Sequence, residues 1–405
     1  MKVLIYILVT FFFITGYAQS YNSWDSVPDF AAGQRERSIS FSLNDKGYIG
    51  CGKDTADKIH KDLWRFDPSN QLWTQMSDMP GSTRRNAVAF VINDVAYVGT
   101  GADSATAPSG DILSDFWKYS YVNNSWVAIT DYPGGGGNGV YFATAFSSSD
   151  KGYVCGGKVG PDSYLDELWE YKPVTDQWIQ RADFPGGERY QLASFCTSNK
   201  GYVGLGANED VYVNDWWEYE IITNTWTQKN NFPAAERGGV TTFVIRNQGF
   251  ICLGTDGGFK DDLWEYNHYS DSWTSRNDYP GSGRKFASAF VIQDTAYVGL
   301  GSSASGKKRS LHKYLPMQSV MVEEYGVSSI KVYPNPVSEY FVLSGENLQY
   351  ERISIINLSG REMAVFVKEW NHTYYLSSVL SPGVYFIVVS SENNVLSTQK
   401  IIKYR

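Results

Sequence analysis

One arginine recurs at a fixed place in the sequence and is the first candidate for chemistry. It stands six residues before a phenylalanine in five separate segments. A guanidinium group is always charged and presents a planar pair of donors, which suits a carboxylate or the sulfate of a sugar. We therefore predict an anion-binding site formed by Arg35, Arg84, Arg189, Arg237 and Arg284. A sixth segment has Val140 at this place, after the run Gly134 to Gly137.

A recurring acidic residue offers a structural alternative for the same arginines. It precedes a Leu-Trp or similar pair and is found at Asp62, Asp115, Glu167, Asp215 and Asp262. Each arginine can pair with one of these carboxylates and hold two strands together, as semi-buried ion pairs commonly do. The sequence leaves both interpretations open.

The composition favours an all-β protein with many turns. Of 405 residues, 38 are glycine and 16% are aromatic, a profile typical of short strands joined by tight turns. The net charge of −8 argues against a nucleic-acid partner, because phosphate binding needs a clustered basic surface.

The elements that carry these residues form a unit that occurs six times. Each unit has an apolar run ending in phenylalanine, a Tyr-Val-Gly-x-Gly run, an acidic-apolar-Trp-x-aromatic run and a run with one tryptophan. The tryptophans of the third run, Trp64, Trp117, Trp169, Trp217 and Trp264, are separated by 53, 52, 48 and 47 residues. Four strands in about 50 residues make one blade of a β-propeller.

The sixth unit lacks its last strand, and the start of the chain supplies a replacement. Trp24 precedes Pro28 and Arg35 much as Trp73 precedes Pro80 and Arg84. We therefore expect the first strand to complete the last blade, which closes the ring and removes an exposed sheet edge.

These repeats resemble kelch repeats, including those of galactose oxidase and the sialic acid mutarotase. The resemblance covers about residues 22 to 315, within a propeller domain assigned to residues 19–315. It implies a six-bladed propeller in which the five arginines lie near one mouth of a central channel. One fold hosts many activities, so the resemblance does not name the ligand.

The two functions that fit these observations belong to different classes. The first is a binding module that receives a glycan or protein ligand at the channel mouth. The second is an enzyme acting on acidic sugars, such as a mutarotase. Copper-oxidase chemistry is not expected, because His60, His268, His312 and His372 all fall outside the innermost strands. No metal or cofactor motif is found, so none is predicted.

The two ends of the chain carry targeting signals. Lys2, the apolar run Val3 to Thr15 and the small residues before position 19 predict a signal peptide over residues 1–18. The apolar run is shorter than the ~20 residues that span a bilayer. Nothing later is apolar enough to do so, so no membrane span is expected after cleavage.

The last 78 residues, 328–405, follow a linker over residues 316–327 and alternate apolar and polar positions, which predicts a small β-sandwich. Three motifs resemble the sorting domain of the type IX secretion system: Tyr333-Pro334-Asn335-Pro336, Asn357-Leu358-Ser359-Gly360-Arg361 and Pro382-Gly383-Val384-Tyr385. The resemblance implies that the secretion machinery is a partner and that the protein is released or displayed on the cell surface by way of the periplasm. An additional sandwich domain for adhesion is the alternative.

Tryptophan and cysteine have structural explanations. All of the 13 tryptophans except Trp216 and Trp370 occupy repeated positions, which indicates blade packing rather than carbohydrate stacking. Trp216 is expected to cover the outer edge of a blade. Four cysteines, Cys51, Cys155, Cys196 and Cys252, lie in apolar or glycine-flanked segments and are expected to be buried thiols, although an exported protein also permits disulfides.

Overall fold

The computed structural model describes two units of the chain, divided at residues 317 and 318. In the first unit it describes residues 22–104, 112–209 and 211–316. In the second it describes residues 331–333, 340–344, 352–357, 362–367, 373–375, 380, 383–391 and 394–403. The predicted signal peptide and most of the predicted linker lie outside these residues. No helix in the described part of the chain is long and apolar enough to cross a membrane.

The first unit is a six-bladed β-propeller, as predicted, and each blade is a four-stranded antiparallel sheet. The first strand of a blade lines the axis and the fourth lies at the rim. The strands of the first three blades are β2 Ile39–Leu43, β3 Lys46–Gly50, β4 Leu63–Asp67 and β5 Leu72–Gln75; β6 Val88–Ile92, β7 Val95–Gly99, β8 Phe116–Ser120 and β9 Ser125–Ile129; β10 Thr144–Ser147, β11 Gly152–Gly160, β12 Ser163–Lys172 and β13 Gln177–Gln180. A short 3-10 helix, Gly135–Gly137, precedes the third blade.

The remaining blades repeat this order, and two of them carry a short additional hairpin. Their strands are β14 Ala193–Thr197, β15 Lys200–Gly204, β18 Trp216–Glu220 and β19 Thr225–Lys229, with the hairpin β16 Ala207–Asn208 and β17 Val211–Tyr212; β20 Thr241–Ile245, β21 Gln248–Cys252, β22 Leu263–Asn267 and β23 Ser272–Arg276; β24 Ser288–Ile292, β25 Thr295–Gly299 and β28 Leu311–Leu315, with the hairpin β26 Ser302–Ser303 and β27 Gly306–Lys307.

The strand β1, Ser23–Val27, completes the sixth blade, which confirms the prediction of ring closure. It pairs antiparallel with β28, with Trp24 opposite Tyr314. The Trp24 ring also packs edge-on against Tyr279 at a centroid distance of 5.2 Å. The two ends of the propeller are thus joined by a strand pair inside one sheet.

Neighbouring blades pack through the repeated phenylalanine of the first strand. Its ring lies against a small residue of the second strand in the next blade. A Cβ added at Gly201 would lie 2.4 Å from the Phe146 ring, and one at Gly47 would lie 2.0 Å from Phe290. This position of the second strand is therefore small, glycine in four blades and alanine in two, because the next blade's sheet has to approach a large ring closely.

At five of the six junctions a polar clip at the rim ties a blade to the one before it. In each clip the side-chain oxygen of one Asn or Asp accepts two hydrogen bonds, one from a tyrosine hydroxyl of its own blade and one from a backbone N–H of the preceding blade. A tryptophan of the same blade as the Asn or Asp donates from Nε1 to a backbone carbonyl of the preceding blade. The Asn and Asp residues are Asn22, Asn124, Asp176, Asn224 and Asp271, and the tryptophans are Trp24, Trp126, Trp178, Trp226 and Trp273.

The junction between blades six and one lacks this clip. Phe66 stands in place of the tyrosine, Gln71 in place of Asn or Asp, and Pro28 has no N–H to donate. The Trp73 Nε1 is accordingly buried without a hydrogen-bond partner.

Two expectations about single residues are settled by burial. Trp216 is fully buried, at 0% exposure, and its ring packs at 5.2 Å from Phe195 and 5.5 Å from Trp273. The expectation that it covers an outer blade edge is therefore wrong, because it fills the place that leucine or phenylalanine takes inside other blades. All four cysteines are free thiols, and Cys51, Cys155 and Cys252 are buried as expected, whereas Cys196 is half-buried.

The second unit contains two antiparallel sheets. They are formed by β29 Lys331–Tyr333, β30 Tyr340–Ser344 and β33 Thr373–Tyr375, and by β31 Arg352–Asn357, β32 Glu362–Val367, β34 Gly383–Ser391 and β35 Asn394–Lys403. Buried residues of both sheets, among them Phe341, Tyr374, Ile355 and Ile387, form one apolar cluster.

Candidate functional site: the mouth of the propeller channel

The five repeated arginines are buried, and four of them are paired with the repeated aspartates. Arg35 Nη1 and Nη2 donate to Asp62 at 2.7 and 3.1 Å, and Arg84 makes the same two-pronged contact with Asp115 at 3.0 and 2.7 Å. The other two pairs are Arg189 with Asp215 and Arg237 with Asp262. Each arginine is at most 5% exposed.

The same aspartate accepts a third hydrogen bond from the tryptophan two residues further on. Trp117 Nε1 donates to Asp115 at 2.7 Å, while Arg84 Nη1 also donates to the carbonyl of Thr100. Burial alone raises the pKa of Asp115, but the hydrogen bond and charge of Arg84 outweigh it, so the pKa is lowered overall. These contacts favour the structural alternative, and a ligand-binding role for the five arginines stays a prediction.

Two blades depart from this pattern in opposite ways. Blade three has Glu167 but Val140 in place of the arginine, and the N–H of Gly135 donates to Glu167 at 3.0 Å instead. Blade six has Arg284 but Ser310 in place of the aspartate, with Nη1 donating to the serine hydroxyl at 3.2 Å.

The mouth itself is formed by the residues two positions after the arginines. One such residue enters the first strand of every blade: Arg37, Asn86, Phe142, Gln191, Gly239 and Phe286. All six have positive φ, between 54° and 60°. Each N–H donates to the carbonyl of the equivalent residue in the preceding blade, and Arg37 donates to Phe286, so six backbone hydrogen bonds of 2.9–3.3 Å form a closed ring. We call these six residues the mouth ring.

Three side chains of the mouth ring cover the opening. Phe142 and Phe286 come from blades on opposite sides of the axis, yet their rings lie only 5.5 Å apart. The Arg37 guanidinium lies over both, at 5.1 Å from Phe142 and 4.6 Å from Phe286. Cation–π contacts of this kind stabilise a desolvated guanidinium.

Several buried polar atoms around the mouth have no hydrogen-bond partner. They are Arg37 Nε, Arg85 Nη1, Asn86 Nδ2 and Gln191 Oε1. Arg85 is 1% exposed, and its Nε donates to the carbonyl of Ser104 at 2.7 Å, so only part of its guanidinium is satisfied. A buried polar atom without a partner costs about 1–3 kcal/mol, which makes such atoms candidates for contacts with a ligand.

The charges around the mouth are mainly positive. The negative charges are Glu36, 5% exposed and 3.8 Å from Arg37 and from Lys53, and Asp57, 3.0 Å from Lys53 and from Lys307. Burial lowers the pKa of Arg37, Glu36 opposes this effect and the nearby Arg85 adds to it. Burial also lowers the pKa of Arg85. An incoming negative charge would stabilise both guanidinium groups.

Below the mouth ring the channel holds a cavity of about 370 Å³. The first strands line it with serine and threonine hydroxyls beside the phenylalanine rings. Many of these hydroxyls are used between blades: Ser40 donates to the carbonyl of Ala289 at 2.7 Å, and Ser147 donates to that of Val91 at 2.8 Å. Most hydroxyl groups of the channel wall therefore already have hydrogen-bond partners within the protein, unlike the polar groups of the mouth.

Sequence reasoning missed the mouth ring because it followed the residues that repeat. The two residues after the repeated arginine differ from blade to blade: Glu36-Arg37, Arg85-Asn86, Tyr141-Phe142, Tyr190-Gln191, Gly238-Gly239 and Lys285-Phe286. Variation at two positions inside an otherwise regular unit was the signal that could have found this ring.

The described histidines have local partners. His60 lies 2.8 Å from Asp54, His268 lies 2.8 Å from Ser198 and His312 lies 2.8 Å from the hydroxyl of Tyr279. In the described residues, no group of three or more His, Cys, Asp or Glu side chains is placed to hold a metal ion.

Two families match parts of the sequence. The family described as the KLHDC2/KLHL20/DRC7 Kelch-repeats domain matches residues 138–301. The family described as the Secretion system C-terminal sorting domain matches residues 331–404. None of the curated proteins matches the chain.

The solved structure of YjhT is similar to the propeller. It has a TM-score of 0.59 and 18% sequence identity, and the match covers 70% of this chain and 95% of that chain. At this identity the likeness supports the fold alone.

Proposed function

We propose that this chain, a six-bladed kelch propeller with a type IX secretion sorting domain, is a binding module whose mouth ring receives an anionic ligand outside the cell. The sorting domain supports secretion or display on the cell surface. The single observation that carries the proposal is the pair of poorly compensated guanidinium groups, Arg37 and Arg85, at the mouth.

The ligand chemistry follows from what these groups lack. Arg37 and Arg85 each retain a buried N–H without an acceptor, and a carboxylate supplies two acceptor oxygens in one plane. Each charge-assisted hydrogen bond contributes about 1.5–3 kcal/mol. A carboxylate that reaches both groups would therefore bind with useful affinity, while a neutral ligand would leave both unsatisfied.

The rest of the mouth suits a polar ligand with an apolar face. Asn86 and Gln191 offer an unpaired amide donor and acceptor, and Phe142 and Phe286 offer ring surfaces. Acidic sugars and acidic side chains both combine these properties, so the ligand is a carboxylate-bearing glycan or protein. Under this proposal the five repeated arginines have a structural role. They fix the chain just before the mouth-ring residues, which lead into the first strand of each blade.

The experiment compares acidic with neutral ligands. The full chain and the variant R37A/R85A are applied to arrays of uronate- and sialate-containing glycans, their neutral counterparts, and acidic peptides. Removing both guanidinium groups should weaken binding of the acidic ligands at least tenfold. The matched control is R246A, because Arg246 lies at the opposite end of its blade, where it pairs with Asp294 at 2.8 Å.

Two outcomes would overturn the proposal. One is equal binding of acidic and neutral ligands by the full chain. The other is unchanged binding of acidic ligands by R37A/R85A while its unfolding temperature stays within a few degrees of the parent protein.

A direct measurement distinguishes the binding module from the enzymatic alternative. If the mouth interconverts the anomers of an acidic sugar, NMR exchange spectroscopy with the full chain will show accelerated anomerisation. Binding without acceleration supports the binding module.

The export route is a second part of the proposal. We infer that the signal peptide directs the chain to the periplasm and that residues 328–405 then address it to the type IX machinery. Deleting residues 328–405 in a bacterium with this secretion system should leave the propeller inside the cell envelope, as fractionation and immunoblotting would detect. Secretion of the shortened chain at the original level would contradict this route.

A further inference from the structure

Blade six contains a buried cation without a counter-ion. Arg284 is 2% exposed, and its donors go to neutral acceptors: Nε to the carbonyl of Ser282 at 3.0 Å, and Nη1 to the carbonyl of Leu300 at 3.1 Å and to the hydroxyl of Ser310 at 3.2 Å. In the described part of the chain no carboxylate pairs with it. Burial lowers the pKa of Arg284, and the groups that oppose this effect are Tyr279 and Cys252, both neutral at pH 7.

The other blades show what is missing at this place. In blades one, two, four and five an aspartate carboxylate bridges the arginine and the tryptophan Nε1. Those carboxylates keep 14–30% of their side-chain surface exposed, so solvent reaches the place they occupy. In blade six Ser310 ends one carbon short of a carboxylate, so its hydroxyl accepts a hydrogen bond from Arg284 without supplying a negative charge.

The neighbours of Arg284 have changed together with the missing carboxylate. The residue that packs under the arginine is Phe30, Phe184 or Phe232 in three complete blades but Tyr279 in blade six, at 4.7 Å from the guanidinium carbon. The tryptophan is replaced by His312, whose Nδ1 lies 2.8 Å from the Tyr279 hydroxyl. Apolar and indole groups have thus become polar ones around the unpaired guanidinium.

Blade three provides the converse case and shows that an incomplete pair needs compensation. There Glu167 has lost its arginine, and the backbone N–H of Gly135 and Trp169 Nε1 donate to it at 3.0 and 2.8 Å. That compensation is built from the chain itself. In the described part of the chain no carboxylate pairs with Arg284, and Asp29, whose charge acts on Tyr279 and His312, pairs with Arg309 at 2.9 Å.

We propose that blade six binds a small anion, a carboxylate group or a halide, between Arg284 and Ser310. The anion takes the place of the aspartate carboxylate found in the complete blades and accepts hydrogen bonds from the guanidinium and the serine hydroxyl. This site lies outside the mouth ring and does not depend on the function proposed for it.

The test uses thermal unfolding of the full chain, followed by tryptophan fluorescence, in sodium acetate, chloride or fluoride at equal ionic strength. Because a ligand that binds only the folded state raises its stability, the wild-type transition should rise by about 2–4 °C more in acetate or chloride than in the strongly hydrated fluoride. Ser310→Asp supplies the missing carboxylate and should remove this difference. A larger effect of acetate identifies a carboxylate as the ligand, and a larger effect of chloride identifies a halide.

Asp262→Ser is the matched control, since it creates the same gap beside Arg237 in blade five. This variant should gain an additional anion-dependent rise. Crystals grown with bromide should show an anomalous peak beside Arg284 in the wild type, which decides the matter even if Ser310→Asp fails to fold. Equal transitions in all three salts together with no bromide at Arg284 would overturn the proposal.

Discussion

Arg35 and Arg37 are two positions apart, and their counterparts follow the same spacing around the propeller, yet the two sets differ in almost every property. The arginines at the first position recur in five of the six blades, are buried, and pair with an aspartate carboxylate in four. The mouth ring varies in side chain and keeps unpaired polar atoms. Within one repeat, the positions that stay the same carry the groups that hold the blade together, and the positions that vary carry the groups that we propose to face a ligand.

The physical reason is the difference in compensation. Burying a charge is costly unless a partner and hydrogen bonds recover the desolvation energy. Asp62 and its counterparts recover it within the chain, so these positions tolerate little change. At the mouth, under the proposed function, a bound ligand would recover this energy, so we expect stability not to determine the side chains there.

The strongest test of this contrast is to remove the carboxylate from one of the buried arginine–aspartate pairs. Asp62→Ala leaves Arg35 buried without a counter-ion and should lower the free energy of unfolding by about 3–5 kcal/mol. Urea denaturation measures this loss. Asp45→Asn, in an exposed turn, is the control and should change little. A loss below about 1 kcal/mol for Asp62→Ala would show that the pair is not structural.

The same pair predicts how stability depends on pH. The pKa of Asp115 is lower in the folded protein than the value of about 3.9 expected when unfolded. Its contribution is therefore fully present above pH 4 and is lost as the pH falls through the folded pKa. Asp115→Asn should be less stable at neutral pH and should lose less stability between pH 4 and pH 2. Parallel acid titrations of the unfolding free energy, with the same slope in both proteins, would refute this assignment.

A smaller effect is expected at the rim clips. Trp126→Phe loses the hydrogen bond from Nε1 to the carbonyl of Ser77, whereas Trp73→Phe loses none, because Trp73 Nε1 has no partner. The first variant should be less stable than the second by about 0.5–1.5 kcal/mol. If calorimetry finds the reverse order, the clips do not contribute as described.

The smallest effect on stability is expected at the mouth ring. Gln191→Leu replaces a side chain whose Oε1 is buried without a partner, so the unfolding free energy should stay within about 0.5 kcal/mol of the wild type. Binding of acidic ligands should nevertheless weaken. A large loss of stability in this variant would place the mouth ring with the framework and remove the contrast between the two sets.

The fold could be predicted from the sequence because the spacing that defines each blade lies within a single repeat. The spacing of Trp64 and its counterparts gives the blades, and the position of Trp24 relative to Arg35 gives the closing strand, since both follow from one repeated packing pattern. For the five arginines the sequence left two possible partners, an external anion and the repeated carboxylates. Only the burial of the guanidinium groups and their distances to the carboxylates could distinguish these interpretations.

The mouth ring could not be derived in the same way. That Phe142 and Phe286 meet over the axis depends on the closure of six blades, and no local pattern places residues of opposite blades 5.5 Å apart. The missing counter-ion of Arg284 is visible as Ser310 in the repeat, but its significance depends on the burial of the guanidinium. Long-range geometry decides both features.

The closed circle of six backbone hydrogen bonds at the mouth limits which groups there could contact the proposed ligand. All six amide groups are spent on one another, so recognition is left to side chains that can be exchanged without rebuilding the main chain. Their positive φ angles disfavour valine, isoleucine and threonine but admit glycine, asparagine, long unbranched residues and the phenylalanine found at two of the six positions. An engineered library that varies only these six residues within that alphabet should retain the scaffold while sampling new specificities.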